Sequence, residues 1–268
     1  MTYSSLLVTL HEAQLSICLN RPQLRNAFND VMVSELKEVF LQASNDTQVR
    51  VVVLSAAGPS FCAGADLNWM QRMAGYSHAE NQADAMELAR MLYALYRCDK
   101  PVIARIQGDC YAGGIGLIAA ADIAIASRDA RFCLSEVRLG LIPATISPYL
   151  LHAIGERAAR RYFLSAERFD ASEALRIGLI HAIVEPERLD QEIHQIVLAL
   201  RANSGDAMRE AKRLVREVAP RSIDEALLAF TAERIATVRA SAHGREGVDA
   251  FLHKRNPAWL LPEPKADR

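Results

Sequence analysis

The sequence lacks a strong net charge and has no conspicuous block of basic residues. Its 268 residues contain 31 Lys and Arg against 32 Asp and Glu, which gives a formal net charge of -1. A chain without a large positive field is not expected to bind nucleic acid. A small anionic ligand would instead need a local group of basic side chains.

Long apolar runs are also missing. The longest apolar stretches fall well short of the ~20 residues that a membrane-spanning helix needs. Residues 1–10 lack the basic start of a secretory signal peptide. We therefore expect a soluble, cytoplasmic protein with no membrane partner.

Cysteine is scarce and poorly spaced for cross-linking or metal binding. The number of cysteines is odd, no two of them have CxxC spacing, and no histidine cluster accompanies them. These features argue against a disulfide framework and against a structural zinc site. We expect reduced core cysteines and no metal site; the five are Cys18, Cys62, Cys98, Cys110 and Cys133.

What the sequence does contain is an alternation of short β-rich runs and helical patterns, which indicates an α/β fold with βαβ-type layers. A helix is predicted over residues 30–43, with Asn29 or Asp30 at its N-cap. Its expected buried face carries Val33, Leu36, Phe40 and Leu41. The predicted strands are residues 15–20, 49–55, 102–107, 122–127, 131–134 and 182–184.

The C-terminal part reads differently, because the strand signal disappears beyond about residue 203. Two helices are predicted there, over residues 206–218 and 223–253, separated by Pro220 and Ser222. Their apolar positions are too numerous for helices alone in solvent, so they must pack on the core or on a second subunit. We divide the chain into residues 1–202 and 203–268 by architecture, without an independent linker.

A first candidate site segment follows the apolar run 51–54. Small side chains at Ala63, Gly64 and Ala65 would let a ligand carbonyl approach the backbone amides. Asp66 could cap a helix that begins near Leu67, and the positive end of that helix favours an oxygen that gains negative charge. The alternative is an ordinary glycine turn between a strand and a helix.

A second segment repeats this arrangement, because Gly113 and Gly114 open a helical run after the strand 102–107. Gly113 is the natural amide donor, although the glycines at 113, 114 and 116 could simply allow close packing. Glu136 follows within residues 135–143 and supplies a carboxylate that could move a proton next to a thioester. Its alternative role is a surface ion pair with Arg138, worth under about 1 kcal/mol.

These motifs resemble the enoyl-CoA hydratase/isomerase, or crotonase, family. The resemblance extends over residues 6–259 and includes Asn20-Arg21-Pro22 and residues 165–178. It implies a crotonase-like spiral of ββα units with a C-terminal helical trimerisation region, assembled as a homotrimer or homohexamer. It also implies an acyl-CoA thioester as the substrate, with coenzyme A as part of that substrate and no separate cofactor.

Transferred position by position, the resemblance implies an oxyanion hole from the amides of Ala65 and Gly113, with Glu136 as the acid/base. The family's other hydratase glutamate falls on Gly116, which excludes a two-glutamate mechanism. The residues implied in coenzyme A binding are Arg25, Ala27, Ala63, Ala65, Asp66, Leu67 and Lys254, and Lys254 would act either within the subunit or across a subunit boundary. The expected acyl pocket comprises Gly116, Trp69, Tyr111 and His152.

A finer resemblance concerns residues 64–70 and 133–148, which are similar to those of bacterial hydratases of 3-substituted glutaconyl-CoA. The substrates of that subgroup are 3-methylglutaconyl-CoA, from leucine breakdown, and isohexenylglutaconyl-CoA, from acyclic terpenoid breakdown. In this interpretation Gly116 would make room for the group on C3. A single-glutamate enoyl-CoA isomerase and a noncatalytic CoA-binding scaffold remain open alternatives.

A glutaconyl group carries a distal carboxylate, which needs a partner on the protein. Arg72, Arg105 and His152 are the candidates that the sequence offers, and the sequence does not rank them.

Overall fold

The computed structural model describes residues 3–260, and its centre is a six-stranded sheet with the order β1-β2-β3-β4-β6-β9. Only the β1–β2 pair is antiparallel; the other neighbours are parallel. The strands are β1 (Leu6–His11), β2 (Gln14–Leu19), β3 (Val51–Ala56), β4 (Val102–Ile106), β5 (Cys110–Tyr111), β6 (Ile123–Ser127), β7 (Arg131–Cys133), β8 (Phe169–Asp170) and β9 (Ala182–Val184).

Ten helices surround the two sheets within the described residues. They are α1 (Asp30–Asn45), α2 (Leu67–Met73), α3 (His78–Arg97), α4 (Gly113–Ala120), α5 (Ser147–Ser165), α6 (Ala171–Arg176), α7 (Leu189–Arg201), α8 (Gly205–Val218), α9 (Glu225–Ala240) and α10 (Ala242–Leu252). The predicted α/β class is therefore confirmed.

Strand β3 shows why the large sheet is buried on both faces. Successive side chains of a strand point to opposite faces. Val52 and Leu54 pack in the main core, whereas Val51 and Val53 pack in a second cluster with α7. A continuous β-branched run is what such a doubly covered parallel strand requires.

Helix α1 forms as the sequence predicts, and Asn29 is its N-cap, because the Asn29 side chain accepts a hydrogen bond from the Met32 amide at 2.9 Å. The helix buries Val33, Leu36 and Phe40. Leu41, which we expected on the same face, is exposed.

The small sheet has the order β5-β7-β8, with β5–β7 parallel and β7–β8 antiparallel. Phe132 and Phe169 stack on one side of it, with ring centroids 5.5 Å apart. Strands β1, β5 and β8 were not predicted. The last two contain only two residues each, which is too short for a period-two pattern to be recognised.

The C-terminal part, as far as residue 260, contains helices and no strand, so the predicted helical region is confirmed. The single helix expected over residues 223–253 is wrong. Ser241 adopts an extended conformation between α9 and α10, and its hydroxyl accepts a hydrogen bond from the Gly244 amide at 3.0 Å. A serine that caps a new helix competes with continuation of the old one.

Helix α8 attaches to the core through charges rather than through apolar burial, since none of its residues is buried. Lys212 pairs with Asp122 at 2.6 Å, and Arg213 pairs with Asp99 at 2.8 Å. Asp122 also accepts the Val102 amide at 2.8 Å, so its carboxylate satisfies a backbone amide as well as pairing with Lys212.

All five cysteines are free; four of them are buried and Cys18 is half-buried. The expectation of reduced cysteines in the core is therefore confirmed for those four. Among residues 3–260, no helix combines the length and apolar character that crossing a membrane requires. The same residues contain no group of three or more His, Cys, Asp or Glu side chains arranged to hold a metal ion.

Candidate active site

The chain segments that follow β3 and β4 run side by side. The amides of Phe61 and Cys62 donate to the carbonyl oxygen of Asp109 at 2.9 and 3.2 Å. The Tyr111 amide donates in turn to the Cys62 carbonyl at 2.8 Å. These bonds hold the two glycine-containing segments next to each other.

The second of these segments is paired on its other side with β7. Strands β5 and β7 are parallel, and the Ala112 amide donates to the Cys133 carbonyl at 2.9 Å. Because all three segments run in the same direction, residues shortly after the paired positions lie at the same end. This places Ala65, Gly113 and Glu136 in one region of the molecule.

The backbone amides of Ala65 and Gly113, in this region, are free. Phe28 donates its amide to Gly64 and accepts the Asp66 amide, both at 2.7 Å, so the Ala65 amide between them is directed away from Phe28. Gly113 is the first residue of α4, and an N–H at that position has no acceptor within the helix. Within residues 3–260, neither the Ala65 nor the Gly113 amide has a hydrogen-bond partner.

The two turns that carry these amides touch one another. Gly64 has φ +91°, and a Cβ placed on it would lie 3.1 Å from the Cβ of Ala112. A Cβ on Gly113 would lie 3.0 Å from Cε2 of Phe28, the residue bridged to Ala65. The turns that carry the Ala65 and Gly113 amides are therefore adjacent, an arrangement that is compatible with the predicted oxyanion hole.

Ala112 adopts a conformation that favours glycine, with φ 47° and ψ -123°. Such a backbone geometry in a residue with a side chain costs on the order of 1–3 kcal/mol and is found mainly at functional sites. Since Ala112 directly precedes Gly113, this geometry determines how the Gly113 amide enters α4.

Glu136 begins a short 3-10 helix, Glu136–Leu139, and one of its carboxylate oxygens is buried without a partner among the described residues. Burial raises the pKa of this carboxyl above the ordinary value of 4.5, because the charged form loses solvation. The alternative of an ion pair with Arg138 is wrong, since the Arg138 guanidinium donates to the Ala166 carbonyl at 2.6 Å. Glu136 thus has the properties of a proton-transfer group.

Gly116 does not open space for substrate. A Cβ at this position would lie 2.3 Å from Cγ2 and 2.9 Å from Cβ of Ile146, and Ile146 is itself buried. The expectation that Gly116 makes room for a group on C3 is therefore wrong. Ile146 fills the volume where the family's other glutamate would begin.

We expect Gly116→Ala to lower the free energy of unfolding by about 1–3 kcal/mol, because the added methyl overpacks the contact with Ile146. Thermal or urea unfolding measures this loss. The matched control is the double variant Gly116→Ala/Ile146→Ala, which removes the contact with Cγ2 at 2.3 Å and keeps only the contact with Cβ at 2.9 Å. The contact would be contradicted if the double variant lost as much unfolding free energy as Gly116→Ala and Ile146→Ala lose together.

The predicted pocket residues Trp69 and Tyr111 are both engaged in contacts within the chain. Trp69 belongs to the main core, and its indole N–H donates to Asp84 at 3.0 Å. The Tyr111 hydroxyl donates to Asp109 at 2.8 Å, and the Arg168 guanidinium lies 5.6 Å from the Tyr111 ring centroid. Contacts of either aromatic residue with substrate stay predictions.

His152 lies elsewhere. It is exposed on α5 and lines a cavity of about 830 Å³ that is also lined by Lys212 and Arg216 of α8. None of the residues placed in the oxyanion region lines this cavity. The predicted position of His152 in the acyl pocket is therefore wrong, because its helix turns it toward α8.

The two arginines considered for a distal carboxylate already have acidic partners. Arg72 pairs with Asp30 at 2.8 Å, and Arg105 pairs with Asp190 at 2.5 Å. Arg105 also lies two residues from Ile103, which packs against α7, so its side chain points to the α7 face of the sheet. Arg105 is therefore removed as a candidate, and Arg72 would have to exchange its partner.

Arg25 and Leu67 have the exposure that a coenzyme A contact needs. The Arg25 side chain is exposed and forms no ion pair within the described part of the chain. Leu67, the first residue of α2, is 80% exposed. Their binding roles stay predictions, with which this geometry is compatible.

The backbone groups expected to contact coenzyme A are only partly free. The Ala27 amide donates to Leu24 at 3.0 Å, and the Ala63 amide donates to the carbonyl of Arg25 at 2.9 Å. Only the carbonyl oxygens of Ala27 and Ala63 could therefore receive the ligand, and that of Ala27 already accepts from Arg21 at 2.7 Å.

Asp66 is a helix cap, as predicted, but it is not exposed to a ligand. Its carboxylate accepts the amides of Asn68 and Trp69 at 2.8 and 3.3 Å and pairs with Arg21 at 2.8 Å. These partners occupy the carboxylate, and the coenzyme A contact of Asp66 stays a prediction. The role of Arg21 was missed, since no local pattern reveals a partner so far along the chain.

Lys254 follows α10, whose main contacts are with α8 and α9. It therefore lies with the C-terminal helices rather than with the elements that carry Arg25 and Ala65. A contact of Lys254 with the coenzyme A of another subunit stays a prediction.

Comparisons with known proteins agree with this geometry. The model of the enoyl-CoA hydratase/isomerase family matches residues 10–261. An enoyl-CoA hydratase from Shewanella pealeana is 45% identical, with a TM-score of 0.93 and 96% of each chain covered.

Two curated relatives bear more specific names. The mevalonyl-coenzyme A hydratase sidH of Aspergillus fumigatus is 34% identical over 91% of this chain and 90% of its own length. The 2,3-dehydroadipyl-CoA hydratase of Escherichia coli is 31% identical over 95% of this chain and 98% of its own. The chain thus belongs to the enoyl-CoA hydratase/isomerase family.

Proposed function

We propose that the chain adds water across the C2–C3 double bond of a 3-substituted glutaconyl-CoA, either 3-methylglutaconyl-CoA or isohexenylglutaconyl-CoA. The observation that carries the chemistry is one buried, unpartnered carboxylate oxygen of Glu136 in the same region as the free amides of Ala65 and Gly113. The Glu136 carboxylate moves a proton, and the two amides stabilise an enolate oxygen.

The choice of acyl group is supported by residues 64–70 and 133–148, which are similar to those of hydratases of this subgroup. Two relatives are named for substrates that each carry one of the two features of such an acyl group. Mevalonyl-CoA is branched at C3, and 2,3-dehydroadipyl-CoA carries a distal carboxylate.

In the proposed mechanism, the thioester oxygen accepts hydrogen bonds from the amides of Ala65 and Gly113. The Glu136 carboxylate takes a proton from a water molecule while the water oxygen bonds to C3. The π pair of C2–C3 then forms the C1–C2 double bond, and the carbonyl π pair moves to the enolate oxygen. Glu136 then returns the proton to C2, which restores the thioester carbonyl and the carboxylate. The sum is one water added.

A single carboxylate performs both proton transfers in this scheme. The second family glutamate is replaced by Gly116, and Ile146 occupies the adjoining space. The water must therefore be oriented by Glu136 together with the substrate itself. A distal carboxylate on the acyl group is chemically able to supply the missing acceptor.

A substrate panel tests the proposal: crotonyl-CoA, 3-methylglutaconyl-CoA and isohexenylglutaconyl-CoA, with consumed and formed species followed by mass. We expect kcat/KM for one glutaconyl thioester to exceed that for crotonyl-CoA. A preference for crotonyl-CoA would contradict the proposed acyl group while leaving the hydratase chemistry intact.

Isomerisation of an enoyl-CoA is the second candidate, because a lone carboxylate is sufficient to move a proton between two carbons. Turnover in oxygen-labelled water separates the two reactions, since only hydration incorporates solvent oxygen into the product. Label-free product with a shifted double bond would establish the isomerase.

The pH dependence follows from the burial of Glu136. The carboxylate is the active form, and its pKa is raised above 4.5 by desolvation. We therefore expect the acid limb of kcat/KM to lie above pH 4.5, with activity falling as the pH drops through that limb. A limb at or below the ordinary glutamate pKa, measured with a nontitrating substrate analogue, would contradict a buried base.

We also propose a homotrimer or homohexamer in which residues 203–268 form the contacts. Exposed apolar side chains on the C-terminal helices support this, with Phe251 82% and Leu252 69% exposed in the single chain. Sedimentation equilibrium would show a monomer if the proposal were wrong. The cytoplasmic location stays a prediction.

A further inference from the structure

We propose that Arg21 and Asp66 are positioning residues that hold the Ala65 amide in the oxyanion hole; this inference rests on the proposed function. Their ion pair joins the loop before α1 to the turn before α2 at 2.8 Å. The two side chains are only 15% and 6% exposed. Neither belongs to the reacting groups, so any effect on catalysis must pass through the backbone between them.

Arg21 makes a second contact on the other side of the amide. Its guanidinium donates through one nitrogen to the Ala27 carbonyl at 2.7 Å and through the other to Asp66. Ala27 and Asp66 are the residues that adjoin the backbone bridge between Phe28 and Ala65. One planar side chain thus spans the two strands of that bridge, which suits the fixed fork of arginine.

Beside this clamp, three backbone bonds hold the register of the segment around Phe28 against the turn. They run from Phe28 to Gly64, from Asp66 to Phe28 and from Ala63 to Arg25. The direction of the Ala65 amide follows from that register. A shift of the turn would therefore aim the donor away from the substrate oxygen without removing it.

The backbone of Arg21 is held by the buried side chain of Asn26. Asn26 accepts the Arg21 amide at 2.9 Å and donates to the carbonyls of Ala57 and Ser60 at 2.8 and 2.9 Å. These carbonyls lie just before the segment that carries Ala65. Arg21 is therefore attached to the segment that carries Ala65 in two ways, at its backbone through Asn26 and at its guanidinium through Asp66.

The test uses Arg21→Met, Asp66→Asn and the double variant. Asparagine caps helices as well as aspartate does, so Asp66→Asn keeps the cap of α2 and removes the ion pair. We expect kcat to fall about 10²-fold in Arg21→Met, the effect of a misplacement near 1 Å. The double variant should recover part of this loss, because a single variant leaves one buried charge unpaired.

A spectroscopic readout separates positioning from mere destabilisation. The carbonyl stretch of bound, carbonyl-13C-labelled substrate moves to lower frequency when two amides polarise the oxygen. We expect the shift to shrink in Arg21→Met and to be restored in part by Arg21→Lys. If Arg21→Met does not fold, the double variant provides the same comparison.

Lys212→Met is the matched control, because Lys212 and Asp122 form a similarly enclosed ion pair at 2.6 Å outside the oxyanion region. It should lower stability but leave kcat and the carbonyl shift unchanged. Unchanged kcat and shift in Arg21→Met, or equal losses in Lys212→Met, would overturn the inference. Full activity of Glu136→Gln would instead overturn the proposed function, so the two failures are distinguishable.

Discussion

Glu136→Gln will reduce kcat for hydration by about 10²–10⁴-fold, which is the usual contribution of a positioned acid/base. Glutamine keeps the shape of the side chain but cannot take a proton from water or return one to C2. The buried, unpartnered carboxylate oxygen at this position has no neighbouring carboxylate at Gly116 to replace it. Steady-state hydration of the best substrate of the panel measures the loss.

Glu136→Asp is the matched control for this variant, because it retains the carboxylate and withdraws it by one methylene. It should keep more activity than the glutamine variant. Equal activity of Glu136→Gln and the unaltered enzyme would exclude Glu136 as the proton carrier.

Glu136→Gln should also be more stable than the unaltered protein at neutral pH. Because the folded-state pKa of this carboxyl is raised, its stabilising effect exists at low pH and is lost as the pH rises through the folded pKa. At pH 7 the buried charge therefore opposes folding, and a neutral glutamine removes that cost. Thermal unfolding should show the difference shrinking toward pH 4.5.

Gly113→Pro will reduce kcat by about 10²–10³-fold, the cost of losing one oxyanion donor. Gly113 is the first residue of α4, a position where proline fits the helix and where the lost N–H has no acceptor within the helix. The substitution therefore deletes the proposed donor while the helix can still form. KM should change less than kcat, since the bond is strongest to the enolate.

Gly113→Ala is the control, because alanine places the same Cβ against Phe28, 3.0 Å from Cε2, but retains the N–H. The difference in kcat between the two variants measures the effect of the amide N–H separately from the effect of crowding against Phe28. Similar kcat values for Gly113→Ala and Gly113→Pro would show that the contact with Phe28, and not the donor, carries the effect.

The parts of the fold that the sequence predicts are those determined locally. The N-cap Asn29 and the apolar face of α1 follow from residues within a few turns of each other. Strand β3 is recognisable from its continuous β-branched run, which occurs because the strand is buried on both faces. Strands β5 and β8 exist only because β7 pairs with them, and no pattern of two residues reveals such pairing.

The residues of the candidate site also differ in whether a local pattern or a distant contact determines them. Ala65 and Gly113 were identified from strand, glycine and helix succession, and Glu136 from the resemblance and its motif. The positions that were wrong depend on contacts across the fold. Ile146 fills the space beside Gly116, and the orientation of α5 turns His152 toward α8.

The three parallel segments of the site have a consequence for how the protein becomes active. Residues near 65, 113 and 136 are distant in sequence, and the hydrogen bonds between their segments join parts of the chain that are far apart. Contacts between distant parts of a chain form late, after the entropy of closing long loops has been overcome. Recovery of turnover after dilution from denaturant should therefore trail the return of helical circular dichroism.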